Sequence, residues 1–301
     1  MDSHKAISPT TIGFIFAIAS AALFAIRPIF VKLVYAEGVD STTLIAFRML
    51  FSLPIYVLLL AWFLRETELK NRLNAKNILA ISIVGMFGYY AASFLDLLGL
   101  QYVTAQLGRM ILYIYPTFVV LLGAVFFGER ITLRVVISLL ITYSGVAIIF
   151  GHDLNVFGND VFTGALFILG AALTFSFYLL FSKSLIAEVG SRLFTCVALI
   201  AASTGILIHY ALTRSITQPE VTPNALWLIL IIAIFCTVIP TFFTTSAVAR
   251  IGADKTGIVA MAGPAFTSIF AVSVLAESFT IYHATGIALT IAGIAVLKGK
   301  P

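Results

Sequence analysis

The sequence predicts an all-α integral membrane protein, with ten transmembrane helices arranged as two inverted five-helix repeats. Three observations predict it. The chain is too apolar for a surface solvated by water. It divides into apolar runs of spanning length. Its second half echoes the first while carrying the opposite charge decoration.

Of the 301 residues, 61% are hydrophobic and 10% are charged. Soluble domains run at roughly 45–50% apolar and about 25% charged, so most of this surface needs lipid around it. The net charge of +5 does not point to nucleic acid, because in a membrane protein the placement of charges carries the information. The expected partners are membrane lipid and a small-molecule substrate. Cys196 and Cys236 lie inside apolar runs and read as buried free thiols. No metal-ligand spacing is present, and neither a metal nor another cofactor is expected. The segment from Met1 to Thr11 is polar and the first apolar run is long, so no cleavable signal peptide is expected.

A helix needs about 20 apolar residues to cross the hydrocarbon core. Spans are predicted near 12–35, 42–64, 77–98, 102–127, 132–150, 160–182, 193–212, 223–248, 256–276 and 281–297. No polar segment between them is long enough to fold as a soluble domain. The predicted spans sort Lys and Arg by side. One side holds Lys5, Arg65, Lys70, Arg72, Lys76, Arg130, Arg134, Lys183, Arg192, Arg250, Lys255, Lys298 and Lys300, and the other holds Arg214. Arg27, Lys32, Arg48 and Arg109 fall within spans. The positive-inside rule then places both termini in the cytoplasm, in what is expected to be a bacterial cytoplasmic (inner) membrane.

The halves, 1–151 and 152–301, match at an offset of 148 residues. That offset pairs Pro116 with Pro264, Glu129 with Glu277, Thr132 with Thr280, Thr142 with Thr290 and Gly145 with Gly293. The first span of each half matches at 151, pairing Gly13 with Gly164 and Phe24 with Phe175. Most basic residues do not follow the repeat. Arg130 and Arg134 align with Ser278 and Tyr282, while Tyr102 and Leu107 align with Arg250 and Lys255. An odd number of spans per half requires this inversion if both copies obey the charge rule. Inverted repeats are a frequent architecture of secondary transporters, with the substrate site near the midplane.

The stretch from Pro116 to Gly128 and Glu129, then Gly145, together with its copy from Pro264 to Glu277 and Gly293, resembles the EamA-type ten-helix exporters of the drug/metabolite transporter superfamily. The resemblance covers roughly 12–150 and 160–297, one EamA-type repeat in each half. The second copy departs from the Gly-Glu pair, reading Ala276 then Glu277. The resemblance implies export of amino acids, other metabolites or drugs, and the whole sequence looks most like the amino-acid exporters, including those for aromatic amino acids.

Ionisable groups at the membrane centre are costly and tend to be functional. Arg27, Arg48, Asp96 and Arg109 are expected in the outer half of the membrane, in the first half of the chain only. One reading makes them a structural cluster in which Asp96 pairs with an arginine. The other has at least one arginine attract a substrate carboxylate, which guanidinium binds bidentately. Lys32 is near a span end and is expected to snorkel to water. Asp96 is also the acid best placed for proton coupling, although an adjacent arginine opposes its protonation. Pro116 and Pro264 are the hinge candidates, being prolines inside spans. Tyr89, Tyr90, Tyr113, Phe175, Tyr178 and Phe242 are candidate pathway residues, because such rings suit an amphipathic cargo. Glu129 and Glu277 are expected to cap the helices that follow them. His4, His152, His209 and His283 form no motif, so an enzyme is not expected. A channel is the alternative of another class, although no filter motif marks one, and nothing marks a receptor or scaffold.

Overall fold

The computed structural model describes residues 8–66, 72–128, 131–214, 221–260 and 262–298. Lys5, Lys70, Glu129, Arg130, Lys300 and His4 lie outside them, including the expected capping role of Glu129. All regular structure among the described residues is helical.

Polar residues that accept from free amides open most of the helices. Helix α1 (Pro9–Ala36) is capped by Ser8, which accepts from the Thr11 amide at 3.1 Å. Helix α2 (Ser41–Phe63) is capped by Asp40, which accepts from the Thr42 and Thr43 amides. Helix α3 (Ala75–Leu100) opens at Asn74 and contains a wide π-helical turn, Met86–Ala91. Helix α4 (Ala105–Phe127) opens at Thr104 and is interrupted between Ala105–Leu112 and Tyr115–Phe127. Helix α5 (Leu133–Phe157) opens at Thr132. Helices α6 (Asp160–Val189) and α7 (Ser191–Thr213) meet at Gly190, whose φ of 85° turns the chain between them.

Helix α8 (Pro223–Val248) opens at Thr222 and carries a second π turn, Ile234–Val238. The helical path then runs past 248 to Gly252, where φ 84° and ψ 162° break it. A short piece over 253–260 follows and, with Gly263–Leu275, makes α9. The predicted spans eight and nine end at 248 and begin at 256; the glycine break between them gives no hydropathy signal. Helix α10 is Ile281–Lys298. Among the described residues, eight helices are long and apolar enough to cross a membrane, and Gly263–Leu275 and Ile281–Val296 are shorter apolar helices.

Apolar side chains cover the outside of the bundle. Leu58, Leu79, Val125, Leu133, Leu140, Leu212 and Trp227 are all exposed. Such a surface is stable in hydrocarbon, where helices satisfy their own backbone groups. Inside, small residues let helices approach closely. A Cβ on Gly145 of α5 would lie 2.6 Å from the Gly286 carbonyl oxygen and 2.9 Å from the Thr290 nitrogen of α10. One on Gly293 of α10 would lie 2.9 Å from the Ser138 carbonyl oxygen and 2.8 Å from the Thr142 nitrogen of α5. Adding 148 to Gly145, Ser138 and Thr142 gives Gly293, Gly286 and Thr290, so the two contacts are copies in reverse. Gly13 of α1 packs on Arg250 and Ile251, and Gly164 of α6 packs on Tyr102 and Val103. Those partners again differ by 148. The π turns in α3 and α8 open at Met86 and Ile234, the same distance apart.

Bonds between connections define one end of the bundle, here the Asp40 end. Arg214 pairs with Asp40 at 2.9 Å. The Thr222 hydroxyl and the Asn224 amide donate to Glu37. At the opposite end the Asn77 amide donates to Glu188, and Arg192 sits over the Phe63 ring.

Candidate functional site

The interior charges gather in the Asp40 half of the bundle. At about 1.5 Å per residue, Arg48 lies roughly 10 Å along α2 from Ser41, while Asp96 and Arg109 lie about 6 Å from the ends of α3 and α4. Asp96 forms an ion pair with Arg27 of α1. Arg48 is 2% exposed and acts electrostatically on Arg27, Asp96, Tyr35 and Tyr56. Its Nε has no hydrogen-bond partner, and the same is true of Nε on Arg27 and Arg109.

Arg109 is held by neutral partners. Its guanidinium donates to the Phe24 carbonyl at 2.6 Å and lies 5.6 Å from the centre of the Tyr113 ring. Pro28 explains the first contact. Proline has no amide hydrogen, so the carbonyl four residues earlier in the helix loses its donor; here that carbonyl belongs to Phe24. A kink residue in α1 thus creates the acceptor that positions a cation from α4.

Tyr35 joins this group to the surface. Its hydroxyl donates to the Leu97 carbonyl at 2.7 Å. It also lines a cleft of about 360 Å³ with Lys32, Gly38, Val39, Asp40 and Gln101. Lys32 thus sits where the cleft meets the bundle.

The aromatic candidates other than Phe242 fall into two ring groups, Tyr113 joining that of Tyr178 through Tyr115 and Phe175. The Tyr89 and Tyr178 hydroxyls are 2.9 Å apart, and Phe175 stacks on Tyr178 at 5.6 Å. Tyr90 is bonded to His209 Nδ1 at 2.8 Å, with Phe94 edge-on to the same imidazole. The Tyr113 hydroxyl donates to the Ala260 carbonyl at 2.7 Å. That bond ties the interruption in α4 to the one in α9. Pro116 and Pro264 each stand just beyond an interruption, at the start of Tyr115–Phe127 and of Gly263–Leu275. Phe242 is on the exposed side of α8. Cys196 and Cys236 are buried free thiols.

Two sequence expectations need correction. Glu277 caps a helix, but not the one that follows it: its carboxylate accepts from the Ala105 and Gln106 amides at 2.7 and 3.3 Å. It closes the start of α4, a helix distant in sequence, because the α9–α10 connection folds over that end. Two of the histidines, His152 and His283, also converge where no motif is visible in the sequence. His152 Nδ1 lies 3.1 Å from Asp153 Oδ1 and His283 Nε2 lies 3.6 Å from it, while the Thr104 hydroxyl donates to Oδ2 at 2.8 Å. Three ligand-type side chains this close resemble a metal site. The Thr280 amide, however, donates to His283 Nδ1 at 3.3 Å. This assigns the proton to Nε2, facing Asp153. The group is therefore a hydrogen-bonded junction of α4, α5 and α10. Adjacent residues of α5 and a distant histidine supply it, so no spacing in the sequence announces it.

A bundle of apolar helices, interrupted in two places and holding paired and unpaired charges beside a polar cleft, defines a polytopic membrane protein with a polar interior, the class to which transporters belong. The chain belongs to the EamA-like transporter family, whose model matches residues 11–151 and 162–298. It is similar to "Uncharacterized transporter YcbK" of Bacillus subtilis (strain 168), with 23% identity over 95% of this chain and 92% of that protein. It is also similar to "Protein RarD" of Escherichia coli (strain K12), with 24% identity over 88% of this chain and 86% of that one. Its fold is also similar to that of a crystal structure, with a TM-score of 0.65 and 19% identity over 96% of both chains. The protein is an integral membrane protein, and its family implies a small-molecule substrate and no enzymatic step.

Proposed function

We propose that this chain is a ten-helix secondary transporter, built from two inverted repeats, that exports amino acids or similar small metabolites by alternating access. It acts in the bacterial cytoplasmic membrane with both termini in the cytoplasm. The reciprocal crossing of α5 and α10 is the observation that carries the reading. One contact, at Gly145, maps onto the other, at Gly293, when the halves exchange roles. Two such halves related by an axis in the membrane plane can exchange conformations, opening one face as the other closes.

The Asp40 end is the outer face in this reading, which agrees with the scarcity of Lys and Arg there. Glu277 and Asp153 hold the start of α4 on that face. Pro116 and Pro264 serve as hinges beside the two interruptions. The separate ring groups around Tyr89, Tyr178 and Phe175, and around Tyr90, give a path with both apolar and hydrogen-bonding character, which suits aromatic as well as aliphatic amino acids.

The test is counterflow. The purified chain in liposomes preloaded with unlabelled amino acid should accumulate radiolabelled phenylalanine or leucine saturably, and added unlabelled substrate should compete. Flux that never saturates indicates a pore. Folded protein that shows no counterflow with any amino acid removes the amino-acid reading.

A further inference from the structure

We propose that the arginine group in the Asp40 half binds a cargo of net negative charge, a small organic anion with one or two carboxylates, in preference to a zwitterion. The proposal rests on the transporter reading above but not on its amino-acid cargo: among small metabolites it selects organic anions over zwitterionic amino acids.

The charge count carries it. Arg27, Arg48 and Arg109 face one carboxylate, Asp96, and Arg27 already occupies it. Arg109 is satisfied in part by a carbonyl and a ring, which position it without neutralising it. Arg48 is buried and, among the described residues, its guanidinium has neither an ion pair nor a hydrogen bond. Removing such a charge from water without a partner is costly. The group therefore presents two uncompensated cations with free donors, and a guanidinium offers five donors in a fork that matches carboxylate. Lys32 in the adjoining cleft adds another positive charge on the way in.

A zwitterion also needs a negative partner for its ammonium group, and the nearby carboxylates already hold arginines. Asp96 holds Arg27, the Phe24 carbonyl holds Arg109, the Leu97 carbonyl holds Tyr35 and the Ala260 carbonyl holds Tyr113. Asp40, at the cleft, is bound to Arg214 and to the start of α2. A cargo ammonium would meet three arginines with no free carboxylate. An anion meets complementary charge and leaves no donor-hungry group of its own.

A matched set of probes tests this on the purified full-length chain in lipid nanodiscs. The midpoint of thermal unfolding is titrated at fixed ionic strength with 3-phenylpropionate, succinate, phenylalanine and phenylalanine amide. Ligands that bind the folded state raise that midpoint in proportion to saturation. Succinate or 3-phenylpropionate should half-saturate at a concentration at least tenfold below phenylalanine, and the amide should have no effect. Arg48→Gln and Arg109→Gln should each raise the half-saturating concentration of the anions tenfold or more, with Arg48→Lys intermediate. Phenylalanine binding as tightly as the anions, or unchanged anion binding in folded Arg48→Gln and Arg109→Gln, would overturn the proposal. If neither variant folds, the ranking of the four probes on the unmodified chain decides the matter. Counterflow of the same probes separates the two readings. Carriage of phenylalanine without anion preference overturns the anion site and keeps the transporter. Saturable anion binding without counterflow of any solute keeps the site and removes the transporter.

Discussion

Replacing Gly145 by alanine tests whether α5 and α10 touch as closely as the structure shows. The new Cβ would lie 2.6 Å from the Gly286 carbonyl oxygen, where ordinary contact begins at 3.4 Å. The helices must then separate by about 0.8 Å, and both obstructing elements are backbone or tied to it. Overpacking of this kind costs typically about 1–3 kcal/mol. Alanine also favours the helix over glycine by up to about 1 kcal/mol, which offsets part of that cost. Gly151 supplies the internal control, because it lies on the same helix and a Cβ there meets nothing within 4 Å. The difference between Gly145→Ala and Gly151→Ala removes the propensity gain and leaves the clash, about 1–3 kcal/mol. Thermal unfolding in nanodiscs should therefore put Gly145→Ala below Gly151→Ala by on the order of 2–10 °C. Gly293→Ala should behave like Gly145→Ala. The double variant should cost less than the sum, since one separation relieves both clashes. A Gly145→Ala protein as stable as Gly151→Ala would refute the close crossing, and with it the reciprocal contact on which the inverted-repeat reading depends.

Three other expectations follow from single bonds. Glu277→Ala removes two acceptors from the start of α4 and should cost about 1–2 kcal/mol, measured by the same unfolding assay, with Glu277→Gln in between. Tyr113→Phe deletes the bond to the Ala260 carbonyl and should cost about 1 kcal/mol; a larger loss in counterflow rate than in stability would show that the tie between the interruptions matters for movement. Asp40 is pulled up by burial but held lower overall by the Thr43 hydroxyl and amide, Arg214 and the Thr42 amide. Its lowered pKa means that its contribution is complete above the ordinary aspartate value of about 4 and fades as the pH falls through the lower folded-state value. Stability of the unmodified chain should thus drop on acidification below about pH 4, and Asp40→Asn should start lower at neutral pH and fall less over that window.

Much of the helix plan is readable in the sequence because a spanning helix writes a long, uniform signal. Apolar length placed α1 to α7, although α5 and α6 each run seven residues past the predicted end, and Thr132 marks the start of α5. The interruption at Tyr113–Ile114 and the break at Gly252 left no such mark, since hydropathy averages over a turn and hardly registers two residues. The four interior charges stood out individually for the reason that makes them costly. Their partners did not: Asp96 and Arg27 are 69 residues apart, and nothing local selects Arg27 over Arg48 or Arg109. The Asp153 junction was invisible for the same reason, as each of its members sits near a span end where polar residues are ordinary. Glu277 was legible as a cap but its client was not, because the helix it serves is brought to it by tertiary folding.

The bond between Arg109 and the Phe24 carbonyl makes two distant positions heritable only together. Pro28 vacates the carbonyl, and Arg109 fills the vacancy. An alanine at 28 would restore the helix's own amide to Phe24 and turn the arginine's donor loose, while loss of Arg109 would strand a bare carbonyl beside a proline with nothing to offer it. Each change alone is a fault, and each softens the harm of the other. A mutational survey that visits one position at a time will score both sites as intolerant and miss that they form a single unit of variation, one half written in α1 and the other in α4.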